Sequence, residues 1–386
     1  MEYEGYDTYE VIRLTRELVK IESSNPGVYE GAVGEFVFRW FEALGVSVWK
    51  EEVLPGRFNI MAKIQGEIHD PALVYICHMD TVPIGEGWSR APLDGEIDGG
   101  RMYGRGACDM KSGLAAGMMA FKHIAGSGKT LQHDFIFAAT VDEEDVMLGA
   151  EKVIHSKIVT ERSWVLDAEP TEGKIKVAHK GKTWFILTVR GKAAHASIPF
   201  TGVDAVAAMS EIAVEIKRKI AECTPHEELG RCSAVFGTIT GGTNTNIVPD
   251  ECTMTIDMRL VPPMNSERSI RLVKEAVAAG LKKVEGAECE IVITAARPPV
   301  EKDDKSFLLG KLTETMTEVD GKAPEVDFFP GYTDTAVIAA MTGNKNCMSY
   351  GPGDLGVAHK PDEYVPCDEV IHAETVMTKL AEKILY

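Results

Sequence analysis

Amphipathic segments alternate with short, uniformly apolar runs along the first third of the chain. Residues 30–44 place Val33, Phe36, Val37, Trp40, Phe41 and Leu44 at helical spacing, and Gly45 follows as a C-terminal stop. Further helices are predicted over residues 8–21, over 111–125, where small residues abound, and over 150–155. Between them lie apolar runs at residues 59–64, 74–78, 134–141 and 164–167. Runs of that length and composition read as strands buried on both faces, and helices alternating with them imply a mostly parallel sheet covered on both sides.

The pattern changes near Gly181. Residues 184–190 alternate like a half-exposed strand, and a helix follows over 203–219. Strands at 233–240 and 251–260, a helix at 266–283 and a strand at 288–294 complete the order β-α-β-β-α-β, the split ferredoxin-like unit. Arg297-Pro298-Pro299 marks its end. Alternation then resumes over 306–319, 333–341, 347–350 and a last helix at 368–385. The expected fold class is α/β. A large catalytic domain with helices on both faces of its sheet, residues 1–180 and 297–386, is interrupted by a ferredoxin-like α+β domain, residues 181–296. Neither internal repeats nor low-complexity segments occur.

A chain of 386 residues can bury two cores. Its formal net charge is −18, from 41 basic and 59 acidic residues, which argues against nucleic acid and anionic membrane as partners. None of the eight cysteines forms a Cys-x-x-Cys pair, so neither a zinc ribbon nor a disulfide framework is expected. The acidic N-terminus lacks an apolar signal core, and no apolar run reaches the roughly 18 residues of a membrane span. The expected location is the cytoplasm.

Chemistry gathers where the predicted strands end, which is where open parallel sheets place their functional groups. His78 and Asp80 close one strand two positions apart, on the same face. Asp109 lies in the loop Gly104-Arg105-Gly106-Ala107-Cys108-Asp109-Met110-Lys111. Glu143 and Glu144 follow another strand, Asp167 and Glu169 a third, and His359 sits in His359-Lys360-Pro361-Asp362-Glu363-Tyr364. So many ionisable groups at strand ends need compensation, and a pair of divalent ions supplies it. Two such ions about 3.5–4 Å apart commonly share one carboxylate. The residues fit that plan: Asp109 as bridge, His78 and Glu169 on one ion, Glu144 and His359 on the other. Imidazole and carboxylate without thiolate suit Zn2+, or Co2+ or Mn2+. Glu143 is then left beside a ligand, where a general base is needed. Cys77 and Cys108 flank these positions, but no His/Asn partner pattern supports a thiol nucleophile. Asp167 competes with Glu169 as a ligand.

These motifs, His78-Met79-Asp80, the Gly104–Lys111 loop, Asp142-Glu143-Glu144, Glu169-Pro170-Thr171 and His359–Tyr364, resemble those of the M20 metallopeptidase family, in the same order and over essentially the whole chain. The resemblance implies the ligand roles above, with Asp80 supporting His78, and a small domain that acts as lid and mediates homodimerisation. It further implies that His195 stabilises the oxyanion, in many members from the opposite subunit, and that Asn246 and Arg259 contact substrate. Arginine suits a substrate carboxylate because its fork binds both oxygens; a surface ion pair is the plainer alternative. The implied activity is metal-dependent hydrolysis of a linear amide in an N-acyl amino acid, as in an acetylornithine deacetylase. A dipeptidase, a carboxypeptidase or a desuccinylase of succinyl-diaminopimelate is the alternative within the family. A non-catalytic binding protein on the same scaffold would have lost a ligand or the base, and none is missing.

Overall fold

The computed structural model describes residues 5–386; the first four residues of the acidic N-terminus lie outside them. The described chain divides into two compact units. One runs through Val177 and takes up Lys302–Phe329 and Thr333–Tyr386; the other comprises Ala178–Glu301 and Pro330–Tyr332.

The elements up to the crossing are α1 (Glu10–Val19), α2 (Gly31–Ala43), β1 (Ser47–Leu54), β2 (Arg57–Ile64), β3 (Ile68–His78), β4 (Glu96–Asp98), β5 (Arg101–Tyr103), α3 (Ser112–Gly126), β6 (His133–Thr140), α4 (Leu148–His155), β7 (Trp164–Asp167) and β8 (Ile175–His179). The second unit carries β9 (Gly181–Arg190), α5 (Ala205–Ala221), β10 (Ser233–Gly241), β11 (Glu251–Leu260), α6 (Ser266–Leu281) and β12 (Glu288–Arg297). The chain ends with α7 (Phe307–Asp320), β13 (Val326–Phe329), α8 (Asp334–Thr342), β14 (Cys347–Ser349), β15 (Tyr364–Pro366) and α9 (Cys367–Leu385).

The first unit is built on an eight-stranded sheet, ordered β1-β2-β6-β3-β7-β14-β8-β13. Its centre, β6-β3-β7-β14, is parallel throughout. The pairs β1–β2, β2–β6 and β14–β8 are antiparallel additions at the flanks. Because β3, β6 and β7 run the same way, His78 lies beside Thr140, and the C-terminal ends of all three strands share one edge. β6 and β7 are buried over almost their whole length and β3 from Ala72 to His78, as continuous apolar runs require.

The small residues of α3 have a packing reason. A Cβ on Gly113 would stand 2.0 Å from the carbonyl oxygen of Ala168, and one on Gly117 would stand 2.9 Å from the Phe137 ring. The helix therefore lies against the loop after β7, and only glycine permits that approach. Phe41, Phe121 and Phe137 fill the space alongside, with ring centroids 5.1–6.3 Å apart.

In the second unit the sheet order is β10-β11-β9-β12, antiparallel at each step, with α5 and α6 on one face. That is the strand order a β-α-β-β-α-β chain adopts when each half contributes one inner and one outer strand. Asp204 and Asn265 cap the two helices, accepting from the N–H groups of Ala207 and Arg268.

Several elements differ from the sequence reading. β1, β4, β5, β8, β13 and β15 were not expected. β1 carries Lys50, Glu51 and Glu52 and forms a half-exposed edge, so it lacks an apolar run. β4, β5 and β15 are three residues each, too short to establish a period.

Replacing Gly113 by alanine is expected to destabilise the protein by about 1–3 kcal/mol, the usual cost of overpacking. Chemical denaturation measures it, and an unchanged midpoint would refute this account of the α3 packing.

Candidate metal centre

Four loops at the shared strand edge, and one that returns after β14, bring the candidate ligands together. His78 is the last residue of β3 and 1 % exposed. Asp109 lies where the glycine-rich loop enters α3. Gly106 precedes it at φ 80°, and a Cβ there would meet Thr81 at 2.6 Å, so the backbone conformation and the space both demand glycine. Glu143 and Glu144 leave the turn after β6, and Glu169 the loop after β7. His359 stands at φ 63° between β14 and β15 and is half-exposed.

Asp109 presents one carboxylate oxygen to each histidine. Its Oδ1 is 3.1 Å from His78 Nε2, and its Oδ2 is 3.3 Å from His359 Nε2. Glu169 Oε1 lies 3.7 Å from His78 Nε2, and Glu144 Oε2 lies 3.2 Å from His359 Nε2. Two groups of potential ligand atoms fall within 4.8 Å of one another: His78, Glu143 and Glu169, and His78, Asp109 and Glu144. A tetrahedral Zn2+ with bonds of about 2.0–2.1 Å holds its ligand atoms roughly 3.3 Å apart. The spacing therefore fits metal ions lying between these side chains, and the nitrogen and oxygen donors suit a divalent ion.

The electrostatics agree. Burial pushes the carboxyls of Glu143 and Glu169 well above the usual carboxylate range. Burial alone would also raise Asp109, but hydrogen bonds from His359 and His78 overcome it and hold Asp109 well below that range. Burial opposes a charged His78, yet Asp109, Glu169 and Glu143 drive its pKa well up. Hydrogen bonds to Asp109 and Glu144 raise His359 to about 10.

Asp80 supports the centre in a manner the sequence did not reveal. His78 Nδ1 bonds to the Asp80 backbone carbonyl at 2.9 Å, whereas the Asp80 carboxylate is 3.7 Å away. That carboxylate instead accepts the N–H groups of Glu143 and Glu144, both at 3.2 Å, and the amide of Asn25 at 2.9 Å. Asp167 turns away from the cluster and accepts from Thr335 Oγ1 at 2.8 Å.

Other contributors carried no recognised signal of their own. Glu363 Oε1 accepts the N–H groups of Cys108 (2.9 Å) and Asp109 (3.1 Å), while its Oε2 takes Arg105 Nη1 at 2.5 Å. Lys111 is buried, its ammonium pulled down to about 7 by desolvation, and it donates to the carbonyl of Ile21. Burial pushes the Cys77 and Cys108 thiols well above their ordinary value, consistent with packing roles.

His195, Asn246 and Arg259 all lie in the second unit. His195 and Asn246 are exposed and belong to adjoining loop segments: Ala196 N donates to Asn246 O at 3.0 Å, and His195 bridges Ile247. Ser197 N donates to His195 Nδ1 at 3.2 Å, which leaves Nε2 to carry the ring proton. Arg259 is part-buried and paired with Asp257 at 3.0 Å.

A mixed α/β unit with ligands at its strand ends and a ferredoxin-like second unit define a metallohydrolase architecture. The model for Peptidase family M20/M25/M40 matches residues 74–383, and the chain belongs to that family. It is a hydrolase acting on amide bonds. It is 26% identical to a probable succinyl-diaminopimelate desuccinylase of Staphylococcus epidermidis, over 92% of this chain and 93% of that protein. It is 28% identical to an acetylornithine deacetylase of Myxococcus xanthus, over 97% of each. Its fold is shared with a tripeptidase from Staphylococcus aureus, at a TM-score of 0.81, 22% identity and 97% coverage of both chains.

The raised imidazoles dictate how metal binding depends on pH. Only neutral imidazole ligates, so at pH 7 an ion held by His78 and His359 would have to displace their protons. Affinity should therefore rise with pH and weaken as pH falls from about 8 to about 6. Calorimetric titration of the metal-free protein with Zn2+, in buffers of different ionisation enthalpy, should register proton release. Equal affinity at both pH values without release would overturn this picture.

Proposed function

We propose that the chain is a two-metal amidohydrolase that cleaves the acyl amide of an N-acyl amino acid. The observation that carries this reading is the Asp109 carboxylate facing a different histidine with each oxygen; Glu143 lies close enough to His78 and Glu169 to reach a water between them, and we assign it the base role rather than that of a ligand. His78 and Glu169 would hold one ion and His359 and Glu144 the other, with Asp109 shared. Zn2+ fits the donors, and Co2+ or Mn2+ could replace it. The bound ions supply Lewis-acid activation of water and of the scissile carbonyl.

The side chains divide the remaining work. Glu143 takes a proton from the attacking water as its oxygen bonds to the acyl carbon. It then delivers that proton to the departing nitrogen as the C–N bond breaks. Asp80 keeps Glu143 aimed by holding its backbone N–H. His195, its Nε2 carrying a proton, is suited to donate to the tetrahedral oxyanion. Arg259 and Asn246 would orient the substrate carboxylate, with Asp257 steadying the guanidinium until substrate competes for it.

The two relatives named above act on small acylated amino acids by their names, which favours that class. A dipeptide or tripeptide substrate is the second reading, favoured by the likeness in fold to peptidases such as the tripeptidase named above. We also infer a homodimer. β10 is an edge strand with Val235 and Ile239 more than half exposed, a surface suited to pairing with a second copy. Eight unpaired thiols fit the reducing cytoplasm, and no helix among the described residues is long and apolar enough to cross a membrane.

Glu143→Gln should retain both metals and lose about 10²–10⁴-fold in kcat on N-acetyl, N-succinyl or dipeptide substrates, whichever the wild type turns over best. Near-normal turnover with metals bound would remove Glu143 from the base role. Mixing that variant with His195→Ala should recover activity through hybrid dimers if His195 acts across the interface. Subunit exchange without recovery would confine His195 to its own subunit or leave it no role.

A further inference from the structure

The turn that carries Glu143 and Glu144 is gripped at three consecutive backbone N–H groups, and every acceptor is a buried carboxylate. Asp142 N donates to Glu30 Oε1 at 3.1 Å, Glu143 N to Asp80 Oδ1 at 3.2 Å and Glu144 N to Asp80 Oδ2 at 3.2 Å. Asp142 itself stands at φ 72°, in the left-handed region that non-glycine residues seldom occupy, so the turn persists only because its surroundings hold it.

Glu30, Asp80 and Asp142 are each no more than 2 % exposed. Three buried carboxylates so close together call for a cation among them. Arg57, the first residue of β2, provides it. Its fork takes both oxygens of Glu30, Nε to Oε2 at 2.8 Å and Nη2 to Oε1 at 2.5 Å. Its Nη1 lies 3.0 Å from Asp142 Oδ1, and the Tyr29 ring covers the guanidinium at 4.4 Å. Asn25 closes the ring, donating to Asp80 at 2.9 Å and reaching Asp142 at 3.4 Å. The geometry is bidentate, so a lysine could supply the charge but not the fork.

We propose that Arg57 is a positioning residue for hydrolysis: acting through Glu30 and Asp142, it fixes the direction in which Glu143 and Glu144 leave their turn. This inference rests on the two-metal reading and adds an asymmetry to it. Glu144 belongs with His359, whereas His78 and Glu169 are carried by β3 and by the loop after β7. Loss of the guanidinium should therefore weaken one metal site and spare the other. A general loosening of the fold would weaken both.

The test is calorimetric titration of metal-free wild type, Arg57→Met and Arg57→Lys with Zn2+, alongside thermal melts. Arg57→Met keeps the apolar stem and removes the charge. It should bind the first equivalent as the wild type does and the second about 10–100-fold more weakly. At saturating metal its kcat should fall by about 100-fold with KM little changed, the mark of a misaimed base. Arg57→Lys should lie between the two, and it gives the same reading if Arg57→Met does not fold. Two equivalents bound by Arg57→Met as tightly as by wild type would overturn the proposal and leave the two-metal reading standing. So would an equal loss at both sites. A wild type that binds fewer than two equivalents would overturn both.

Discussion

Charge removed from water at one sheet edge is the constraint on which this molecule turns. His78, Asp109, Glu143 and Glu169 are all less than a tenth exposed, and burial there is costly for any ionised group that lacks a partner. The parallel centre of the sheet creates the problem, since it delivers the ends of β3, β6 and β7 to one place. It also contains the solution. Asp109 reaches histidines from near the two ends of the chain, one with each oxygen, so a single carboxylate ties together segments that nothing in local sequence connects. Divalent ions at those positions would exchange a set of shared protons for fixed positive charge.

Around that core lies a layer whose task is to aim the core. Asp80 holds the turn of Glu143 and Glu144 by its carboxylate and the His78 ring by its carbonyl. Glu363 holds the backbone at Asp109, and Arg105 neutralises it. Arg57 does the same for Glu30 and Asp142. In each case a carboxylate grips main-chain N–H groups, and in two of the three an arginine pairs with it. The reason is geometric: a side chain can swing, whereas a backbone N–H that is held fixes where the next side chain begins.

Legibility from sequence followed the same division. His78, Asp109, Glu143, Glu144 and Glu169 were readable because each follows an apolar run or a glycine with a packing reason, whereas His359 follows neither and stood out only through its motif. The ferredoxin-like order was readable because period-2 strands alternate there with two amphipathic helices. The edge strands were not, because β1 and β13 are half-buried and lack a continuous apolar signal. Nor was the supporting layer. Arg57, Glu30 and Asn25 look like ordinary polar residues in a chain with many, and only the packing of β2 and the start of α2 against the turn after β6 gives them a role. Asp80 shows the limit most sharply. The His-x-Asp spacing pointed to a partnership, but which atom of Asp80 meets the ring depends on a turn 60 residues away.

The division also bears on why relatives at 26–28% identity carry different names. Most of the cluster around Asp109 is buried at the strand ends and in the loops that leave them, where a shift of even one ångström would cost rate heavily. His195 and Asn246 sit on exposed loops of the other unit, where change costs little stability. If His195 and Asn246 contact substrate as proposed, a new acyl group could be accommodated on those loops without disturbing the cluster. Arg259 is the intermediate case: its partner Asp257 lies on the same strand, so the guanidinium is steadied but only part-buried, as the proposed role in binding a carboxylate would need. On the proposed reading, the groups that would cleave the amide are buried where strands end, and those that would select it lie on a more open surface.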